Sequence, residues 1–104
     1  MKTTKTYTET EMKKLHDTVA IACSEENPEV ILKIVKKMDL NPPKSTWNQM
    51  RYNLGLVIAL NPNTSAEALD ILSRHSHTRV RRCVADHENV SADTLSRLNV
   101  EFAS

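Results

Sequence analysis

The segment RHSHTRVRRC at residues 74–83 gathers Arg74, Arg79, Arg81 and Arg82 with His75, His77 and Cys83. Side chains of these types at these spacings allow three chemistries. As a metal site, His75 and His77 on a turn would join Cys83 and His87, four apart on a helix, to supply the nitrogen and sulfur ligands of a tetrahedral zinc. Against this, His-x-His is not a common close-spaced ligand pair, and Cys83 falls on an apolar face that should turn its sulfur into the core. As a phosphate site, the arginines and histidines would grip a nucleic-acid backbone from an inter-helix turn and the start of a helix, where anions are favoured. No aromatic residues interleave to stack bases, and Asp70, Asp86, Glu88 and Asp93 lie close by, so such binding would be weak, non-specific and salt-sensitive. As scaffold, one arginine bridges to an acid on an adjacent repeat and the others are solvated, each exposed pair contributing about 0–1 kcal/mol. The scaffold account is preferred, although an arginine-rich ridge also suits a protein partner, since arginine is enriched in interface hot spots.

Elsewhere the chain holds no nucleophile elbow, P-loop, paired-carboxylate site or Cys-His dyad with a third orienting group, so neither catalysis nor a cofactor is expected. His16 reads as a solvated helix residue. Cys23 and Cys83 make no disulfide framework and read as free, buried thiols in a reducing compartment. Trp47 is a candidate hot spot, with core packing the preferred account. Lys33, Lys36 and Lys37 on the amphipathic EVILKIVKKM suit a solvated face better than a membrane surface.

These side chains need elements to position them. Aromatics are only 4% of the 104 residues, so the core must come from Leu, Ile, Val, Met and Ala, a palette that suits helices. The single glycine, Gly55, leaves little for hairpin turns. A net charge of +1 removes any whole-molecule case for nucleic acid or anionic membrane. The run LGLVIAL falls far short of the roughly 20 residues that span a bilayer, and no secretory stretch opens the chain, so a cytoplasmic location is expected.

The apolar period predicts one domain over residues 9–104 behind a mobile tail at 1–8. Met12, Leu15, Val19, Ala22 and Cys23 mark a first helix at 9–24, with Thr8 and Glu11 as its capping box. Asn27 and Pro28 start a second, carrying Ile31, Ile34, Val35 and Met38, which the prolines of LNPPK end. Thr46 and Gln49 offer another capping box for a helix through Trp47, Met50, Leu54, Val57 and Ile58. Three shorter helices follow Thr64 or Ser65, Thr78 and Ser91.

An internal repeat organises this list. At an offset of 26, Ala59, Asn63, Ser65, Ala66, Leu69 and Leu72 fall on Ala85, Asn89, Ser91, Ala92, Leu95 and Leu98. A weaker copy at ACSEENPEVILKIV sits 37 residues before the first, the excess being an insertion at about 39–49. A helix, a turn and a second short helix cannot bury their own apolar face, but stacked copies can. The stretch from Asn61 to Leu98 resembles the leucine-rich repeat variant family, a short, HEAT-like α-solenoid. The match lies in Asn61, Pro62, Asn63 and Thr64 of the turn, Leu69 and Leu72 of the helix, and Val80, Arg81, Val84 and Ala85 of the next repeat. It departs at Ser65, where the family has a second proline, and at HENVS in the last turn; the cysteine-rich iron–sulfur segment of some members has no counterpart here.

The resemblance implies an all-α, short right-handed α-solenoid of about six helices, some short or 3₁₀, with a binding style and no reaction. The expected function is a non-enzymatic protein-interaction module, an accessory, regulatory or inhibitor protein of the kind found in bacteria and their phages. Its candidate contacts are Arg74, His75, His77, Arg79, Arg81, Arg82 and Trp47. Val100 and Phe102, trailing the last helix, are expected to fold back as a lid or to leave an uncapped end for self-association. The alternative is a weak nucleic-acid-backbone binder acting through the 74–82 arginines.

Overall fold

A computed structural model of the chain describes residues 6–102, which form six α-helices and two single 3₁₀ turns, with no strand among them. The helices are α1 (Glu9–Ser24), α2 (Pro28–Lys37), α3 (Leu54–Leu60), α4 (Ala66–Leu72), α5 (Thr78–Asp86) and α6 (Ala92–Phe102). Their amino termini are capped by local chemistry. Thr8 and Glu11 close the expected capping box on α1, Asn27 accepts from Glu29 N with Pro28 at the first position of α2, and Ser65 caps α4.

The helices stack in two layers. α1, α3 and α5 pack side by side in one; α2 packs on α4 in the other, and α6 joins it through bonds to Asp70. The resulting slab measures 39 × 37 × 19 Å, its thin dimension being two helices deep. α3 is apolar on every side because it is the middle of its layer, and Leu54 through Ala59 are all buried. Burial follows the sequence repeat: Ile31, Ala68 and Thr94 occupy one core position and Val35, Leu72 and Leu98 another. Thr94 fits where the earlier copies have Ile31 and Ala68 because its hydroxyl donates to Asp70 Oδ1 at 2.8 Å.

The repeats are joined turn to turn. The carbonyls in the last turn of a helix have no partner within the helix. Asn61 supplies one from the next repeat, its Nδ2 donating to Ala22 O at 2.8 Å and to Glu25 O at 3.0 Å, while its Oδ1 accepts from Asn63 N. One repeat further on, at the position of Asn61, His87 accepts from Asn89 N at Nδ1. The proton therefore sits on Nε2, which donates to Asn61 O at 2.8 Å. Asn89 Nδ2 adds bonds to Pro62 O and Thr64 O.

Four expectations are corrected. The helix expected from Thr46 does not form: Lys44–Thr46 and Met50–Tyr52 are separate 3₁₀ turns. Thr46 Oγ1 donates to Pro43 O and Gln49 Nε2 to Ser45 O, so neither serves a capping box; buried Asn53 caps α3 by accepting from Leu56 N. Val100 and Phe102 belong to α6 instead of trailing it, Val100 exposed and Phe102 packed against the core. Cys23 is exposed and Cys83 half-buried, so neither thiol is enclosed in the core. Of the expected tail, residues 1–5 lie outside the described residues, whereas Tyr7 is tied down, its hydroxyl donating to Asp39 Oδ2 at 2.8 Å.

Gly55 is needed for close approach, not for its backbone freedom. A Cβ there would lie 2.8 Å from Cδ2 and Nε2 of the His75 ring. Gly55→Ala should therefore lower stability by about 1–2 kcal/mol net, the ring clash outweighing the better helix propensity of alanine. Asn61→Ala should cost about 2–3 kcal/mol by stranding the α1 carbonyls. Urea unfolding of both variants beside the wild type checks these values.

Candidate functional site

The candidate residues occupy the connection between α4 and α5 and the first turns of α5. Ser73 ends α4, and the turn is clamped from the inserted segment, where Leu40 O accepts from Ser76 N at 2.8 Å. His75 is 1% exposed, pressed against Gly55, and its Nδ1 accepts from His77 N at 3.0 Å. His77, not a threonine, is the N-cap of α5, its Nδ1 accepting from Arg79 N. Trp47 lies on the His77 ring, with centroids 4.3 Å apart and planes tilted by 31°. Trp47 is thus half-buried against the turn as a packing residue and does not start a helix. Trp47 Nε1, His75 Nε2, Ser76 Oγ and His77 Nε2 are buried without a hydrogen bond to any of the described residues.

Neither histidine is a free ligand. Burial, and then the neighbouring His77 and Arg81, push His75 down to about 4, against a smaller opposing pull from Asp39. His77 is also lowered, by burial and then by Arg79 and Arg81. Both rings accept at Nδ1, so the neutral form carries its proton on Nε2. His87 is turned toward Asn61 at the far end of α5, and burial raises the Cys83 thiol above its ordinary value, making it a poorer ligand and nucleophile. Among the described residues no group of three or more His, Cys, Asp or Glu side chains converges on a cation position.

The arginines are largely drawn onto acids of the same molecule. Arg74 Nη1 pairs with Asp70 Oδ2 at 3.0 Å, and Arg97 reaches the other oxygen of Asp70 from α6. The Thr94 hydroxyl first, then Arg74 and Arg97, hold the Asp70 carboxyl below its usual range. Arg81 donates from Nε and Nη2 to Glu101, from Nη2 to Thr78 Oγ1 and from Nη1 to His75 O at 2.6 Å, linking α5, α6 and the turn. Arg82 lies 4.7 Å over the Phe102 ring. Arg79 is exposed and its side chain makes no hydrogen bond or ion pair with the described residues. The structure thus brings His75, His77, Arg81 and Trp47 to one connection, and separates Arg74, Arg79 and Arg82 onto other contacts or solvent.

A second feature was not apparent from residue types. Ala59, Leu60, Pro62 and Cys83, together with Asp86, His87 and Glu88, line a groove of about 370 Å³ between the ends of α3 and α5. Leu60 is 57% exposed there, and Ile21, in the last turns of the neighbouring α1, is 54% exposed. Its signal in the sequence is Leu60 itself, an apolar residue directly before the Asn-Pro turn.

Fold and turns together define a small all-α protein of stacked helical pairs, in which arginine, histidine and asparagine side chains bind one repeat to the next. No protein-family model, curated protein or solved structure matches the chain. No helix among the described residues is long and apolar enough to cross a membrane.

His75 makes stability pH-dependent. Its value is about 4 in the folded chain and 6.5 when unperturbed, so on acidification the unfolded chain takes up the proton first. Its contribution to stability should be complete above pH 6.5, fall between 6.5 and 4, and level off below, a loss of roughly 3 kcal/mol in all. The partly lowered His77 adds a loss of the same sign just below its ordinary value. Urea unfolding across this range should show the slope, and His75→Gln should flatten most of it.

Proposed function

We propose that the protein is a non-enzymatic protein-interaction module, a small accessory or regulatory protein of the leucine-rich repeat variant kind that docks on another protein through the face of its helical stack. The observation that carries this is the exposure of Ile21 and Leu60, two large aliphatic side chains more than half open to solvent in the last turns of adjacent helices. Elsewhere along α3 the side chains are buried, so Leu60 stands out on that helix as an apolar group without an internal partner. The arginine segment supports the same reading. Arg74, Arg81 and Arg97 are ion-paired within the molecule, which weakens the case for a phosphate-binding patch.

Cross-linking in the native cell followed by mass spectrometry tests this. The expected outcome is one reproducible protein cross-linked through the 13–14 lysines or the 21–26 and 59–62 segments; cross-links indistinguishable from those of a folded control protein would refute it. Titration with random-sequence DNA and RNA at low salt should show no association that depends on Arg79 or Arg82.

A further inference from the structure

The groove between α3 and α5 carries information about what would fill it. Its lining combines apolar groups, from Ala59, Leu60, Pro62 and Cys83, with the acids Asp86 and Glu88 and with His87. On the side of the inter-helix turns the surroundings extend the sign of the acids, whereas Arg79, one helical turn before Cys83, is a cation on the other side. The turns joining α1 to α2, α3 to α4 and α5 to α6 are held together by the Asn61, His87 and Asn89 bonds, and residues 20–30, 60–68 and 84–94 contain no Lys or Arg at all. Glu29, Glu67 and Asp93 lie in first turns, where a helix favours an anion, so their presence has a structural cause. Asp86 and Glu88 have none: they lie at the carboxyl end of α5, where the helix dipole disfavours negative charge and no basic residue stands in the last turn. Glu26, Asp86 and Glu88 make no ion pair among the described residues. Anions placed against the dipole around an exposed leucine match a cationic, apolar visitor. The same acids repel phosphates and anionic headgroups.

Building on the interaction reading above, we infer that this groove docks a segment of a partner protein that presents an apolar side chain flanked by Lys or Arg. The apolar side chain buries against Leu60, Ala59 and Cys83. The flanking cations meet Asp86 and Glu88 and offset their unfavourable position at the end of α5. A groove of about 370 Å³ admits an anchoring side chain and its neighbours, not an extended interface, so a short linear segment is the fitting occupant.

The test is amide-shift mapping by NMR on the full chain, with a short synthetic amphipathic peptide of Leu and Lys as probe and its Leu and Glu counterpart as control. The Leu/Lys peptide should shift amides at 59–62 and 83–88, and the Leu/Glu peptide should not. Leu60→Glu should weaken binding about tenfold or more, and Asp86→Lys with Glu88→Lys should reverse the preference between the two peptides. Leu60 is largely exposed and Asp86 and Glu88 are exposed, so unchanged amides elsewhere verify that each variant is folded. The inference is overturned by no shifts, by shifts centred on Arg79 and Arg82, by equal response to both peptides, or by groove shifts in the free protein that grow with its concentration, which would make a second copy the occupant. Any of these removes the groove's assignment alone; the interaction reading stands or falls on the cross-linking result.

Discussion

Asn61 is the side chain on which the stack depends. An α-helix ends with carbonyls that nothing inside it can satisfy, and here the missing donors come from the next repeat. Asn61 caps the end of α1, and His87 then caps the end of α3 at the carbonyl of Asn61 itself. Each turn closes the helix before it, so the repeats are joined by hydrogen bonds at their turns as well as by apolar contact along their lengths. That matters for a chain whose α3 and α4 are only seven residues each. Helices of that length do not persist alone in water, and packing plus capping from neighbours keeps them formed.

The same logic accounts for the arginine and histidine segment. A connection buried between an inserted loop and two helices has backbone groups that need partners. His75 and His77 meet two of them by accepting the amides of His77 and Arg79, and Arg81 meets a third at the His75 carbonyl. Burial then keeps His75 neutral, Gly55 makes room for its ring, and Trp47 covers His77. Of the residue types suited to metal or phosphate chemistry, both histidines and Arg81 are here bound into the frame, while Arg79 is left to solvent. The exposed apolar groups lie instead at the opposite ends of the helices, where they share a groove with acids.

Much of the architecture was legible because its causes are local or periodic. Thr8, Asn27 and Ser65 cap helices through atoms two or three residues away, and Pro28 is compatible with a first turn wherever it is placed. The 26- and 37-residue offsets reflect core positions such as Ala68 and Thr94 that stacking must bury, so the repeat in the sequence reappears as a repeat in burial. The inserted segment misled for a related reason. Thr46 and Gln49 have the spacing of a capping box, but Asn53 bonds to both Trp47 O and Leu56 N, and this three-part contact moves the helix start seven residues on.

What sequence alone determined is therefore the all-helical class, most helix boundaries and the repeat, since these follow from side chains acting on backbone within a turn or two and from a recurring apolar stripe. What only the tertiary structure decided is how each charged or polar side chain is used. Whether Arg81 meets Glu101, whether His87 meets Asn61, and whether Leu60 is covered all depend on groups about 20 to 40 residues away that arrive only when the repeats stack. An arginine has the same chemistry paired or free, and residue type carries no record of which neighbour folding will bring.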